Sequence, residues 1–141
     1  MKLFVILLAL CGLLAGCSSV HSERNPHVDL SKLRRFYVEH RLSDNHRVDD
    51  AIVAELQARG FEASAGPLTM MPDGIDALVT YQDEWAWDFK SYLIQLDVVI
   101  RSPHRNLVFA GGSYRQPSPR AQPLPTVVHR LFDSLLQTGG K

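Results

Sequence analysis

The sequence holds little cysteine, no excess charge of either sign and no apolar run long enough to span a bilayer. Cys11 and Cys17 are the only cysteines in 141 residues. Both lie before residue 18, so the rest of the chain has neither a disulfide nor a thiolate site. Six histidines stand at 21, 27, 40, 46, 104 and 129. None is three or four residues from another, and no Cys-x-x-Cys or His-Glu-x-x-His spacing occurs, so no metal is expected. Gly-x-Ser-x-Gly, Gly-x-Gly-x-x-Gly and phosphate-loop spacings are also missing. With them go the expectations of a serine elbow, a dinucleotide cofactor and a nucleotide site. Fifteen basic residues against fifteen acidic ones leave no field to attract nucleic acid. No internal repeat is present.

The most apolar stretch runs from Leu3 to Leu14, 12 residues, where crossing the hydrocarbon core takes roughly 20. Lys2 precedes it, and Ala15-Gly16-Cys17 and then Ser18-Ser19 follow. One positive charge, a short apolar core and small residues at its end make a secretory signal segment. Leu14-Ala15-Gly16-Cys17 resembles the lipobox of bacterial lipoproteins. That resemblance implies cleavage between Gly16 and Cys17, with acyl chains carried on the Cys17 sulfur. Ser18, rather than an aspartate, next to the cysteine implies the periplasmic face of the outer membrane. Each buried acyl methylene contributes about 0.8 kcal/mol, and two or three chains suffice for a stable anchor. The expected organisation is a signal peptide over 1–16, a lipidated flexible tether over 17–30 and a single domain over 31–141. Losing residues 1–16 leaves 125 residues with 14 basic and 15 acidic side chains, and Cys17 as the sole cysteine.

Beyond the polar residues 18–30, Leu33 to Leu42 is rich in strand formers. Ser43-Asp44-Asn45 offers helix caps, and Val48, Ile52 and Leu56 fall on one helical face. Glu55 and Arg59 stand four apart, placed to pair on the exposed side, and Gly60 is the expected stop. A short strand is expected at Phe61–Ala65, and Asp76–Phe89 carries another that begins Ala-Leu-Val-Thr-Tyr. The alternation of Tyr92, Ile94, Leu96, Val98 and Ile100 marks another strand, and Leu107–Tyr114 a further one. Gly111-Gly112 signals a bulge or a close backbone approach. Four prolines between 117 and 125 make an extended connector. A last helix is expected over Thr126–Gln137, with Val128, Leu131, Phe132 and Leu135 on one face. The predicted fold class is α+β, in the order βαββββα. Its mainly antiparallel sheet has four to five strands, with two amphipathic helices on one face.

The Leu-Val-Thr-Tyr strand, the long alternating strand and Leu-Val-Phe-Ala-Gly resemble Gram-negative envelope lipoproteins of a domain family without assigned function. The arrangement is also similar to accessory domains of lipopolysaccharide-assembly lipoproteins and of the Tol-system propeller protein. The resemblance implies a fold and a compartment and carries no catalytic residue.

The most unusual local composition is Asp83, Glu84 and Asp88 interleaved with Trp85, Trp87 and Phe89. Odd-numbered Tyr81, Trp85, Trp87 and Phe89 would extend a core face. Asp83 on that parity requires either a face that is not uniformly buried or a bulge. The same aromatics suit a binding surface for a peptide or glycan. Three functional readings follow. The first is a non-catalytic lipoprotein accessory or interaction module, lipid-anchored at Cys17, with an envelope protein partner met through Trp85, Trp87 and Phe89. The second is a small-molecule, lipid or glycan binding module. The third is a hydrolase using Asp83, Glu84 or Asp88. No cofactor is expected.

Overall fold

The computed structural model describes residues 18–116 and 121–137. Signal cleavage at Gly16 and Cys17, and the lipidation of Cys17, lie outside the described residues, as do Pro117 and Pro119 of the connector.

The strands are β1 (Ser19–Arg24), β2 (Arg35–Glu39), β3 (Glu62–Gly66), β4 (Ala77–Asp88), β5 (Lys90–Arg101) and β6 (Val108–Arg115), with helices α1 (Val48–Ala58) and α2 (Leu124–Leu136). They form one small α+β domain whose six-stranded sheet has the spatial order β1-β6-β5-β4-β2-β3. The sheet is mixed, correcting the expected four to five antiparallel strands. β2 runs parallel to both β3 and β4. The reason is topological: α1 carries the chain from β2 back to the starting end of the sheet, so β3 must run alongside β2.

A second correction concerns the stretch read as tether. Ser19–Arg24 pairs antiparallel with Ala110–Arg115 of β6. Its sequence, SVHSER, shows no apolar alternation because five of its six side chains are exposed. Main-chain hydrogen bonds hold an edge strand without a buried side. Ser22 adds a bond from its hydroxyl to the Ser134 carbonyl of α2, 3.2 Å.

Both helices cover the same sheet face, and one continuous core results. Phe36 and Val38 of β2, Ile52 and Leu56 of α1, Leu96, Val98 and Ile100 of β5, and Leu131, Phe132 and Leu135 of α2 all belong to it. Burying each such side chain contributes roughly 1.5–3 kcal/mol. The helices meet through Arg59, whose guanidinium reaches Glu55 at 2.6 Å and Asp133 of α2 at 2.6 Å. The expected Glu55–Arg59 pair therefore exists, at the seam between the helices and not on a free surface. Gly112 is the close approach anticipated from sequence. A Cβ there would come within 2.9 Å of Leu131 and 3.0 Å of Leu135.

β5 departs from its sequence pattern near its start. The pairing slips between Glu84 and Trp85, leaving Ile94 as an extra residue on β5. Leu96, Val98 and Ile100 face the core as expected, but past the bulge Leu93 is buried instead of Ile94 or Tyr92. A single inserted residue reverses the side-chain parity.

Candidate functional site

The features singled out from sequence converge on the end of the sheet where β2 leaves for α1 and where β4 turns into β5. Asp44 organises it. Its side chain accepts from the backbone N–H of Val48 at 2.8 Å and of Asp49 at 3.3 Å, capping α1 from a distance. Arg47, directly before the helix, takes φ 57° to let the chain turn inward. The other Asp44 oxygen accepts from the His46 N–H at 2.8 Å. The Tyr81 hydroxyl donates to Asp44 at 2.7 Å. Burial alone would raise the Asp44 carboxyl, but the Tyr81 and backbone bonds outweigh it and hold the pKa below the usual carboxylate range. Burial and the neighbouring Asp44 charge both push the Tyr81 phenol strongly upward.

Asp83 lies on the helix-covered face, as its parity requires, and is largely buried. Both of its oxygens are engaged. Arg41 donates to one at 3.1 Å, and the Trp85 indole N–H donates to the other at 2.6 Å. The uneven face expected from sequence is thus a buried carboxylate with its own partners. It does not come from a shift of β4, since the slip falls after Glu84 and on β5. Trp85 is half-buried beneath His46, whose ring stacks on the indole with centroids 3.7 Å apart. His46 Nε2 also lies 3.1 Å from the Ser91 hydroxyl across the hairpin. Asp44, a helix-cap candidate in the sequence, does cap α1, whereas no motif marks Arg41 and His46. The only signal available was their clustering in a short loop rich in polar residues.

Trp87 and Phe89 do not share Trp85's environment. Trp87 is 74% exposed and Phe89 94% exposed at the hairpin tip, their rings 6.4 Å apart. Phe89 adopts φ 58°, a conformation that glycine or asparagine accepts far more readily. The three aromatics therefore divide into one structural residue and two exposed ones.

The carboxylates of the hydrolase reading are not brought together. Asp83 and Glu84 are consecutive in β4 and project to opposite faces. Asp88 is four residues beyond Glu84, about 13 Å along the strand, outside the roughly 5–9.5 Å separation that paired glycosidase carboxylates use. No cluster of three or more potential metal ligands occurs among the described residues. Every buried side-chain nitrogen and oxygen among them has a hydrogen-bond partner. A space of about 380 Å³ opens between the hairpin and the start of α2, lined by Trp85, Lys90, Tyr92, Leu93, Gln122 and Leu124. The opposite sheet face, free of helices, holds a shallow groove of about 370 Å³ bordered by Glu39, Arg41, Gln82, Asp97 and Arg101. Among the described residues no helix is long and apolar enough to cross a membrane.

No family model and no curated protein matches the chain. Among solved structures the fold is similar to PelC from Paraburkholderia phytofirmans, crystallised as a dodecamer. The likeness has a TM-score of 0.62 at 12% identity, over 82% of this chain and 95% of that one. A point variant of the same PelC, also a dodecamer, gives 0.62 at 11% identity over 81% and 96%. A PDZ domain protein from Parabacteroides distasonis is similar at 0.53 and 10% identity, over 95% of this chain and 40% of the other. At these identities the likeness is one of fold alone.

Proposed function

We propose that this chain is an outer-membrane lipoprotein, anchored by lipid on Cys17, facing the periplasm and acting as a non-catalytic accessory or interaction module of the cell envelope. The observation that carries the reading is Leu14-Ala15-Gly16-Cys17 at the end of a short apolar run behind Lys2. Supporting it, β1 begins at Ser19. The acylated residue is then joined almost directly to the edge of a sheet, and the lipid fixes a folded body close to the bilayer. The carboxylates fall apart on the two faces of β4, which favours a binding role over hydrolysis. An envelope protein partner would find main-chain groups on the edge strands β1 and β3, and mixed charge on the helix-free face.

The reading is tested by Cys17→Ser. Acyl labelling and removal of the first sixteen residues are both expected to stop, with the precursor accumulating. Normal processing of that variant, or labelling that survives it, overturns the anchor.

A further inference from the structure

We propose that Trp87 and Phe89, at the tip of the β4–β5 hairpin, form a second membrane contact, dipping into the same bilayer that holds the N-terminal lipid. This rests on the lipoprotein reading above.

Register carries the argument. Ser19, the first residue of β1, pairs with Arg115 of β6; Arg115 pairs with Gln95 of β5, and Gln95 with Glu84 of β4. The chain therefore enters the sheet at the end from which the hairpin projects. From Glu84 to Phe89 the hairpin extends five residues past that row, about 16 Å at 3.3 Å per residue. Cys17 precedes Ser19 by two residues and can lie at most about 7 Å beyond it. With the acylated cysteine at headgroup level and the two linking residues fully extended toward the bilayer, the tip would reach roughly 9 Å deeper, within the 5–10 Å over which apolar side chains of interfacial elements settle.

The chemistry of the tip matches that depth. Trp87 and Phe89 are aromatics of the kind that occupy the membrane–water interface. Leu42, 98% exposed, sits on the β2–α1 loop at this same end of the sheet. Arg41 on Asp83 and His46 on Trp85 tie that loop to the hairpin. Asp88 and Lys90 face each other across the turn, so the tip carries no net charge and its attachment is apolar. Finally, a bulky residue is kept at φ 58°, where Asn or Gly would relieve the backbone. Backbone strain of this kind clusters at positions whose side chains make functional contacts. A lipid surface is favoured over a protein groove because the segment preceding Ser19 delivers this end of the sheet to the membrane.

The chain has two tryptophans, Trp85 and Trp87, so fluorescence excited selectively at tryptophan reports this hairpin alone. The test uses the processed, lipidated protein in vesicles of phosphatidylethanolamine and phosphatidylglycerol, with and without lipid brominated near the headgroup end of its acyl chains. Trp85→Phe isolates Trp87, and Trp87→Phe isolates Trp85. If Trp85→Phe fails to fold, the difference between wild type and Trp87→Phe gives the same signal. Brominated lipid is expected to remove most Trp87 emission and little of Trp85's, at low and high salt alike, with Trp87 shielded from iodide. Protein that floats with the vesicles while Trp87 is quenched by iodide and spared by bromine overturns the hairpin contact and leaves the anchor standing. Failure to float overturns the anchor and the hairpin contact together. A photocrosslinker at position 89 in cells should yield lipid adducts; protein adducts alone would assign the tip to a partner instead.

Discussion

The imidazole of His46 lies flat on the indole of Trp85, ring planes 9° from parallel, and joins the β2–α1 loop to the hairpin. The stack and the indole bond to Asp83 make Trp85 part of the fold, while Trp87, two residues on, touches little. Trp85→Ala should cost about 2–3 kcal/mol, combining lost burial, the stack and an orphaned Asp83 oxygen. Trp87→Ala should fall within about 0.5 kcal/mol of wild type, as exposed substitutions do. Urea unfolding followed by circular dichroism separates the two. Equal losses would mean that the hairpin is a single structural unit out to its tip.

Asp44 is expected to be the most sensitive polar residue. Asp44→Ala removes the cap of α1 and leaves the Tyr81 hydroxyl without its acceptor, a combined loss of about 2–3 kcal/mol. The folded Asp44 pKa is depressed below its ordinary 3.8. Its contribution is therefore complete above that value and disappears as pH falls through the folded pKa. Wild type should lose stability steeply below about pH 4, and Asp44→Asn should show a shallower acid limb. Identical limbs would remove Asp44 from the account.

His40 shifts the other way. Its Nδ1 lies 2.7 Å from Asp49. The Asp49 hydrogen bond raises its pKa against a smaller opposing effect of burial, with the Asp49, Asp44 and Asp50 charges adding to the rise. The imidazolium–carboxylate contact stabilises the fold fully below the ordinary value of 6.5. It fades as pH climbs through the higher folded value. An NMR titration should place His40 above that ordinary value in wild type. Asp49→Asn should bring it down, and a His40 that titrates alike in both proteins would show that the contact does not form.

Much of this architecture is legible in the sequence, and the departures share a cause. α1 and α2 show because Ile52 and Leu56, and Leu131 and Leu135, repeat on one covered face. β1 does not show because its partner contributes backbone alone, and exposed SVHSER resembles a tether. The parallel pairing of β2 hides because strand direction is set by where α1 returns the chain, which no single strand's pattern records. The hairpin aromatics were identifiable as a group. Their division into Trp85 against Trp87 and Phe89 depends on His46, which is 39 residues away in sequence and brought to Trp85 only by the fold.

Gly111 and Gly112 make a paired control. A side chain at Gly112 meets Leu131 and Leu135 of α2, whereas at Gly111 the nearest atom is the Val98 carbonyl oxygen at 3.9 Å. Gly112→Val should destabilise by about 1–3 kcal/mol, because α2 must lift from the sheet. Gly111→Ala should be tolerated or slightly stabilising, since it removes backbone freedom from the unfolded chain. Thermal melts of the two proteins decide the point. A neutral Gly112→Val would show that α2 does not rest on β6 as described.

Phe89 sets stability against attachment. At φ 58° an L-residue with a large side chain is disfavoured by roughly 1–2 kcal/mol. Asparagine tolerates the conformation and forgoes less backbone entropy than glycine does. Phe89→Asn should therefore leave the domain as stable as wild type or up to about 1 kcal/mol more stable. The same variant should weaken the shielding of Trp87 in vesicles. Improved folding together with a more exposed tip separates a residue kept for its contact from one kept for the fold. A Phe89→Asn protein that is less stable, with Trp87 equally shielded, would reverse that assignment: the ring would then be holding the hairpin together rather than meeting lipid.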